Sequence, residues 1–215
     1  ASDAQGNFYF SDLSKGTVYR VPAAGGTPVA WIENGPKISG LKFGPDGKLY
    51  RGAKGLAGEI GHIILNPAGP KCNCGSRGCM EAMVSGVAFA ERARRILEQG
   101  KSRALHEIVG YEEPTAAHLY IAATKGDALC EAEIRHGGHL LGLGLGSLVN
   151  VLNPDAVTLS GGLLSMGDML IAPMREAMYS LAYGPAAGTL IRLSTLGEDA
   201  GLLGAAAVAF ERLGH

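Results

Sequence analysis

The stretch "GEIGHIILNPAGPKCNCGSRGCME", residues 58–81, decides how the rest of the chain is read. Three of the four cysteines, Cys72, Cys74 and Cys79, fall in an eight-residue window, and His62 stands ten positions before the first of them. Thiolate and imidazole are the ligands zinc prefers, and closed tetrahedral sites of the Cys₃His kind are common. Gly75 and Gly78 allow the backbone to fold tightly around an ion. The cluster therefore reads as a structural zinc site with His62, Cys72, Cys74 and Cys79 as ligands. The alternatives are three unbonded thiols, or one disulfide and a spare. Cys130 stands apart in a helical run and reads as a core thiol.

Composition agrees with a folded domain. Hydrophobic residues make up 47% of the 215 and charged residues 18%, enough apolar material for a core and too little charge for disorder. A net charge of −1 gives no electrostatic case for nucleic acid or an anionic membrane as partner. No apolar run approaches the ~18 residues that would span a bilayer. The opening "ASDAQGNFYF" has neither a basic nor an apolar signal region, and it lacks a methionine, so a piece of a longer chain is expected. A cytoplasmic setting is expected, where clustered cysteines hold metal in preference to forming disulfides.

Two textures follow one another. In residues 1–50, "NFYFSD", "TVYRVP", "TPVAWI" and "ISGLKF" are short aromatic and β-branched runs separated by Gly, Pro, Asp and Ser, which predicts an all-β segment. Gly6-Asn7-Phe8-Tyr9 is echoed 41 residues later by Gly47-Lys48-Leu49-Tyr50, a spacing that suits a propeller blade as well as a chance pair of hairpins. Residues 51–215 alternate instead. Helices are predicted over 80–100, 113–126, 128–152, 167–183 and 201–214, with strands at "DAVTLSGG" and "TLIRLST". The predicted class is α/β.

The spacing E-x-x-H, C-x-C, four residues, C-x-E in "AGEIGH…CNCGSRGCME" resembles the ROK family (repressor, open reading frame, kinase), and its glucokinase-type sugar kinases in particular. "LVNVLNPDAVTLSGGL" and "GEDAGLLGAAAVAF" resemble the family's nucleotide-side strand and C-terminal helix, so the resemblance runs from about Asp46 to His215. It implies the C-terminal lobe of an actin-like, ribonuclease-H-like fold that phosphorylates a hexose, glucose foremost, with ATP and magnesium, and a homodimer is compatible with it. Carried over, Glu59, His62 and Glu81 would contact sugar hydroxyls, with His62 also binding zinc through its other ring nitrogen. Gly161 and Gly162 would let the nucleotide approach the backbone. Simpler roles exist for some of these residues: an acid at a helix start is favoured by the dipole, and a strand-to-helix turn needs glycine regardless. The other histidines show no ligand spacing.

The front of the chain departs from that family. Its D-x-G phosphate loop, its Asn-Asp pair bearing the general base, and its glycine-rich strand are not found in residues 1–45, so no catalytic aspartate can be carried over. "DAQGNFYFSDLSKGTVYRV" and "GPKISGLKFGPDGKLY" instead resemble a blade of the gluconolactonase and senescence-marker-protein propellers. "DGKLY", residues 46–50, is at home in both families, which suggests a chimera joined there. The expected function is thus ATP-dependent hexose phosphorylation by descent, with this chain itself inactive. The rivals are a non-catalytic zinc-bearing interaction or dimerisation domain, and a sugar-responsive repressor, which would need a helix-turn-helix.

Overall fold

The computed structural model describes residues 8–12, 17–21, 29–32, 53–54 and 57–194. The predicted strand "ISGLKF" and the closing helix over 201–214 lie outside these residues. The chain divides into two compact units, one of residues 1–60, 156–161 and 190–215, the other of residues 61–155 and 162–189.

In the first unit, β1 (Phe8–Asp12), β2 (Thr17–Val21) and β3 (Val29–Ile32) form an antiparallel meander. Phe8 pairs with Val21 and Asp12 with Thr17, and the register of β2 against β3 shifts between Val18 and Tyr19. The same unit holds β4 (Ala156–Leu159) and β5 (Leu190–Leu193), paired in parallel from Ala156 opposite Leu190 to Leu159 opposite Leu193. A parallel pair requires a crossover, and the intervening sequence supplies a helix.

The second unit is helical: α1 (Met80–Val84), α2 (Gly86–Glu98), α3 (Arg103–Val109), α4 (Ala116–Thr124), α5 (Ala128–Leu152) and α6 (Asp168–Leu181). Side-chain caps set most of their starts. Ser85, Ser102, Thr115 and Asp127 accept from the backbone N–H of Ala88, Leu105, His118 and Cys130. The single helix predicted over 80–100 is two, because Ser85 is extended and its hydroxyl starts α2 afresh. The α3 helix was not anticipated. Phe89, Ile96, Leu105, Leu119, Ile134 and Leu170 form the centre of the core, with Cys130 fully buried among them, as a core thiol should be. No helix among the described residues is long and apolar enough to cross a membrane.

What organises this unit is a face of α5 without side chains. A Cβ at Gly138 would lie 2.9 Å from Pro173 Cγ, at Gly142 2.7 Å from Ala177 Cβ, and at Gly146 2.9 Å from Leu181 Cβ. The first two would lie closer still to the carbonyl oxygens of Leu170 and Met174. Glycines four apart share one face of a helix, so α6 packs along that row at backbone contact. Gly137 and Gly144 do the same for the Phe89 ring and for Met80 Sδ. α5 ends where Asn153 turns left-handed (φ 42) ahead of Pro154.

Gly142→Ala should therefore destabilise the protein despite alanine's better helix propensity. Overpacking against α6 is expected to cost about 2 kcal/mol, lowering Tm by roughly 4–8 °C in thermal unfolding. Gly86→Ala, where a Cβ meets nothing within 4 Å, should leave Tm unchanged or slightly raised.

Candidate functional site

The cysteine loop is closed by its own backbone. Two isolated bridges nest one inside the other, Ile64 opposite Cys79 and Lys71 opposite Arg77. Leu65 N donates to Gly78 O at 2.8 Å, and Gly78 N to Pro70 O at 2.8 Å. At the tip, Gly75 N donates to Cys72 O at 3.0 Å and Cys72 N to Ser76 O at 2.8 Å, which turns the chain back between Cys72 and Cys79. Arg77 Nη1 donates to Gly69 O at 3.1 Å and ties the two sides together. Gly78 adopts φ 68, and a side chain there would run into the backbone of Asn66. Only glycine allows so close a crossing.

This closure collects the donors. One ligand atom from each of His62, Cys72, Cys74 and Cys79 lies within 4.8 Å of all the others. Cys74 Sγ is 3.6 Å from Cys79 Sγ, and Cys72 Sγ is 3.7 Å from His62 Nδ1. His62 ends a 3₁₀ turn, Ile60–His62, just ahead of the outer bridge at Ile64. Cys72 and Cys79 are buried while Cys74 is exposed. Three sulfurs and an imidazole nitrogen at these separations form a donor set suited to zinc.

The thiols' electrostatics agree with that use. The backbone N–H of Ser76, helped by the Cys72 side chain, lowers the Cys74 thiol to about 7. Burial, with Cys74 and Cys72 alongside, pushes Cys79 up to about 12. One thiol ionises readily and the next resists, the conflict that a bound divalent cation relieves by holding thiolates together. Cys130 is likewise raised to about 12, by burial and the neighbouring Asp127, and lies apart from the cluster.

Glu81 sits in the first turn of α1, and its Oε2 is 3.6 Å from the same His62 Nδ1. Gly61 makes room for it: a Cβ there would come within 3.3 Å of Glu81 Cβ. Gly61 and Arg77 were not singled out from the sequence, although Gly61 lies inside the E-x-x-H spacing. Met80, the first residue of α1, reaches Gly144, and Leu65 Cδ2 lies beside the same glycine, so both sides of the loop are anchored on α5. Glu59 is exposed and falls in the first unit, one residue before the 3₁₀ turn. Gly161 (φ 121) ends the run from β4, and Gly162 opens a second 3₁₀ turn, Gly162–Met166. The backbone at Gly161 calls for glycine whatever approaches it.

Residues 40–212 match the family model described as "ROK family". The match begins upstream of "DGKLY" and does not reach residues 1–39, for which the propeller resemblance stands as a sequence expectation. The glucokinase of Thermotoga maritima is 34% identical over 170 residues, covering 78% of this chain and 54% of that protein. The xylose repressor of Caldicellulosiruptor bescii is 31% identical over 133 residues, covering 62% of this chain and 33% of that one. A ROK family glucokinase from Streptomyces griseus, solved with glucose and AMPPNP, superposes with a TM-score of 0.65 at 28% identity, covering 87% of this chain and 57% of that one. The chain spans about half the length of the curated glucokinases it matches. The expected class holds: a helix-rich α/β fold with a small parallel sheet, resembling the actin-like fold of ROK kinases. With the family match extending over most of its length, the chain belongs to the ROK family.

Proposed function

We propose that this chain provides the sugar-facing, zinc-bearing lobe of a ROK sugar kinase, with a hexose, glucose foremost, as substrate and ATP with magnesium as phosphoryl donor. One observation carries the reading: His62 Nδ1 faces Cys72 Sγ at 3.7 Å and Glu81 Oε2 at 3.6 Å, so metal donors and a hydroxyl acceptor converge on one imidazole. His62, Cys72, Cys74 and Cys79 would hold zinc, which would fix the His62 ring and tautomer without bond-breaking chemistry of its own. The protein's own residues do the binding. Glu81 and Glu59 accept hydrogen bonds from sugar hydroxyls through charged oxygens, which makes them strong. The second nitrogen of His62 is assigned to a further hydroxyl, and the Gly161–Gly162 turn to the nucleotide. Relatives named for glucose phosphorylation and for xylose-responsive repression match overlapping parts of the chain. Sugar recognition is the property such proteins have in common, and this supports a sugar-binding role for the shared segment.

Phosphoryl transfer needs more than this. It rests almost wholly on positioning and electrostatics, and residues 1–45 hold neither the phosphate loop nor the Asn-Asp pair. The 215-residue chain assayed alone is therefore assigned binding without turnover.

Two outcomes test these assignments. Metal analysis after zinc-replete purification should find one zinc per chain; Cys74→Ser should release it and Cys130→Ser should retain it. Less than half an equivalent in the parent protein would count against the cluster as a metal site.

Isothermal titration should detect glucose binding that Glu81→Gln weakens roughly 10- to 100-fold, matching the ~1.5–3 kcal/mol of a hydrogen bond to a charged group. A coupled assay should find no glucose phosphorylation until residues 1–45 are replaced by the upstream lobe of a ROK glucokinase, joined at "DGKLY". A chain that binds zinc but no hexose, before or after that graft, would be an interaction domain.

A further inference from the structure

The cluster's thiols differ in access as well as in distance. Cys74 is exposed at the loop tip, while Cys79 is fully buried behind it and Cys72 is buried beside His62. Cys74 Sγ and Cys79 Sγ are already 3.6 Å apart, and a disulfide needs about 2.05 Å. The four residues linking them, Gly75 to Gly78, include two glycines, so the closure falls on a short turn just ahead of α1. Cys72 Sγ lies against His62 Nδ1 at 3.7 Å and within 4.8 Å of the other two sulfurs, so the short Cys74–Cys79 separation and the access of Cys74 select the pair.

We infer that Cys74 is an oxidation site, and that a peroxide converts the Cys74–Cys79 pair to a disulfide that dismantles the metal centre. The Cys74 sulfur attacks a peroxide oxygen; a sulfur–oxygen bond forms, the oxygen–oxygen bond breaks, and the departing hydroxide takes a proton and leaves as water. The Cys79 sulfur then attacks Cys74, forming the disulfide and expelling the sulfenic oxygen as a second water. Two thiols are oxidised, one peroxide is reduced to two waters, and no other reactant is required. Two of the four donors are lost at once, leaving Cys72 and His62, too few for a closed tetrahedral site. His62 is also the ring that Glu81 faces, so the step couples thiol oxidation to the proposed sugar site. Dithiol reductants would reverse it by exchange.

The inference rests on the metal reading for its consequence but not for its chemistry, so the two can fail separately. Hydrogen peroxide is added to the zinc-loaded full chain, with zinc followed by a chromophoric chelator and the thiols by intact mass and peptide mapping. The expected result is loss of the bound zinc together with a decrease of about 2 Da, mapped to a Cys74–Cys79 linkage and undone by dithiothreitol. Cys72→Ser should still form that linkage, and Cys74→Ser should be oxidised at least tenfold more slowly. Wild-type mapping stands even if a variant does not fold. A linkage through Cys72, stable sulfinic acid at Cys74 without a disulfide, or zinc retained with all thiols intact would each overturn the inference. Failure to load zinc would overturn the metal reading instead, while the mapping would still report on the Cys74–Cys79 pair.

Discussion

The second unit depends on the contact between a helix that gives up its side chains and the backbone that fills their place. Each glycine in α5 carries an intrinsic penalty of about 1 kcal/mol relative to alanine, and Gly138, Gly142 and Gly146 accept it along a single row. In return α6 approaches until the Leu170 and Met174 carbonyls occupy the space of absent methyl groups. Gly137 and Gly144, off that row, admit Phe89 and Met80. Through Phe89 the helix organises the hydrophobic core, and through Met80 it holds the cysteine loop. One surface thus sets the spacing of the bundle and the anchorage of the site.

The loop illustrates how little regular structure a metal-type site needs. Its two bridges involve single residue pairs, and its shape is held by backbone hydrogen bonds, one arginine and a glycine that crosses Asn66. Such an arrangement has scant hydrophobic support of its own, which is why ion binding and folding are expected to be coupled at sites of this kind. The thiols' opposed ionisation preferences point the same way, since packed sulfurs without a cation compete for charge.

Sequence made some of this plain and hid the rest for physical reasons. The limits of α5 were legible because local chemistry writes them, an Asp127 cap at one end and Asn153-Pro154 at the other. The donor set was legible because its members are close along the chain and chemically distinctive. The break at Ser85 was missed because apolar periodicity continues through it, and only the hydroxyl's bond to Ala88 N reveals a new helix. α3 was missed because seven residues carry too little periodicity to register. Glu81 and His62 were each named as sugar contacts from a family resemblance, but the approach of Glu81 to His62 was not anticipated, because it depends on Gly61 and on how the loop folds back. The meaning of the α5 glycines depends on α6, more than twenty residues away, and glycine in a helix otherwise reads as weakness.

The shortest helix has the widest reach. At five residues, α1 is far below the length at which a helix persists unaided, so its neighbours must hold it in place. Met80 secures its start in the notch at Gly144, and near its end the Met83 carbonyl accepts from Arg92 Nη2 at 2.7 Å. The other arm of that guanidinium donates to Glu133 O on α5 at 2.8 Å, and Arg92 itself is only 6% exposed. Glu81 rides on this suspended turn. The orientation of a surface carboxylate is therefore governed from inside the bundle, by an almost wholly buried arginine. The ligand preference proposed for this lobe is consequently open to adjustment by substitutions in its interior, where a survey confined to the surface around Glu81 would not search.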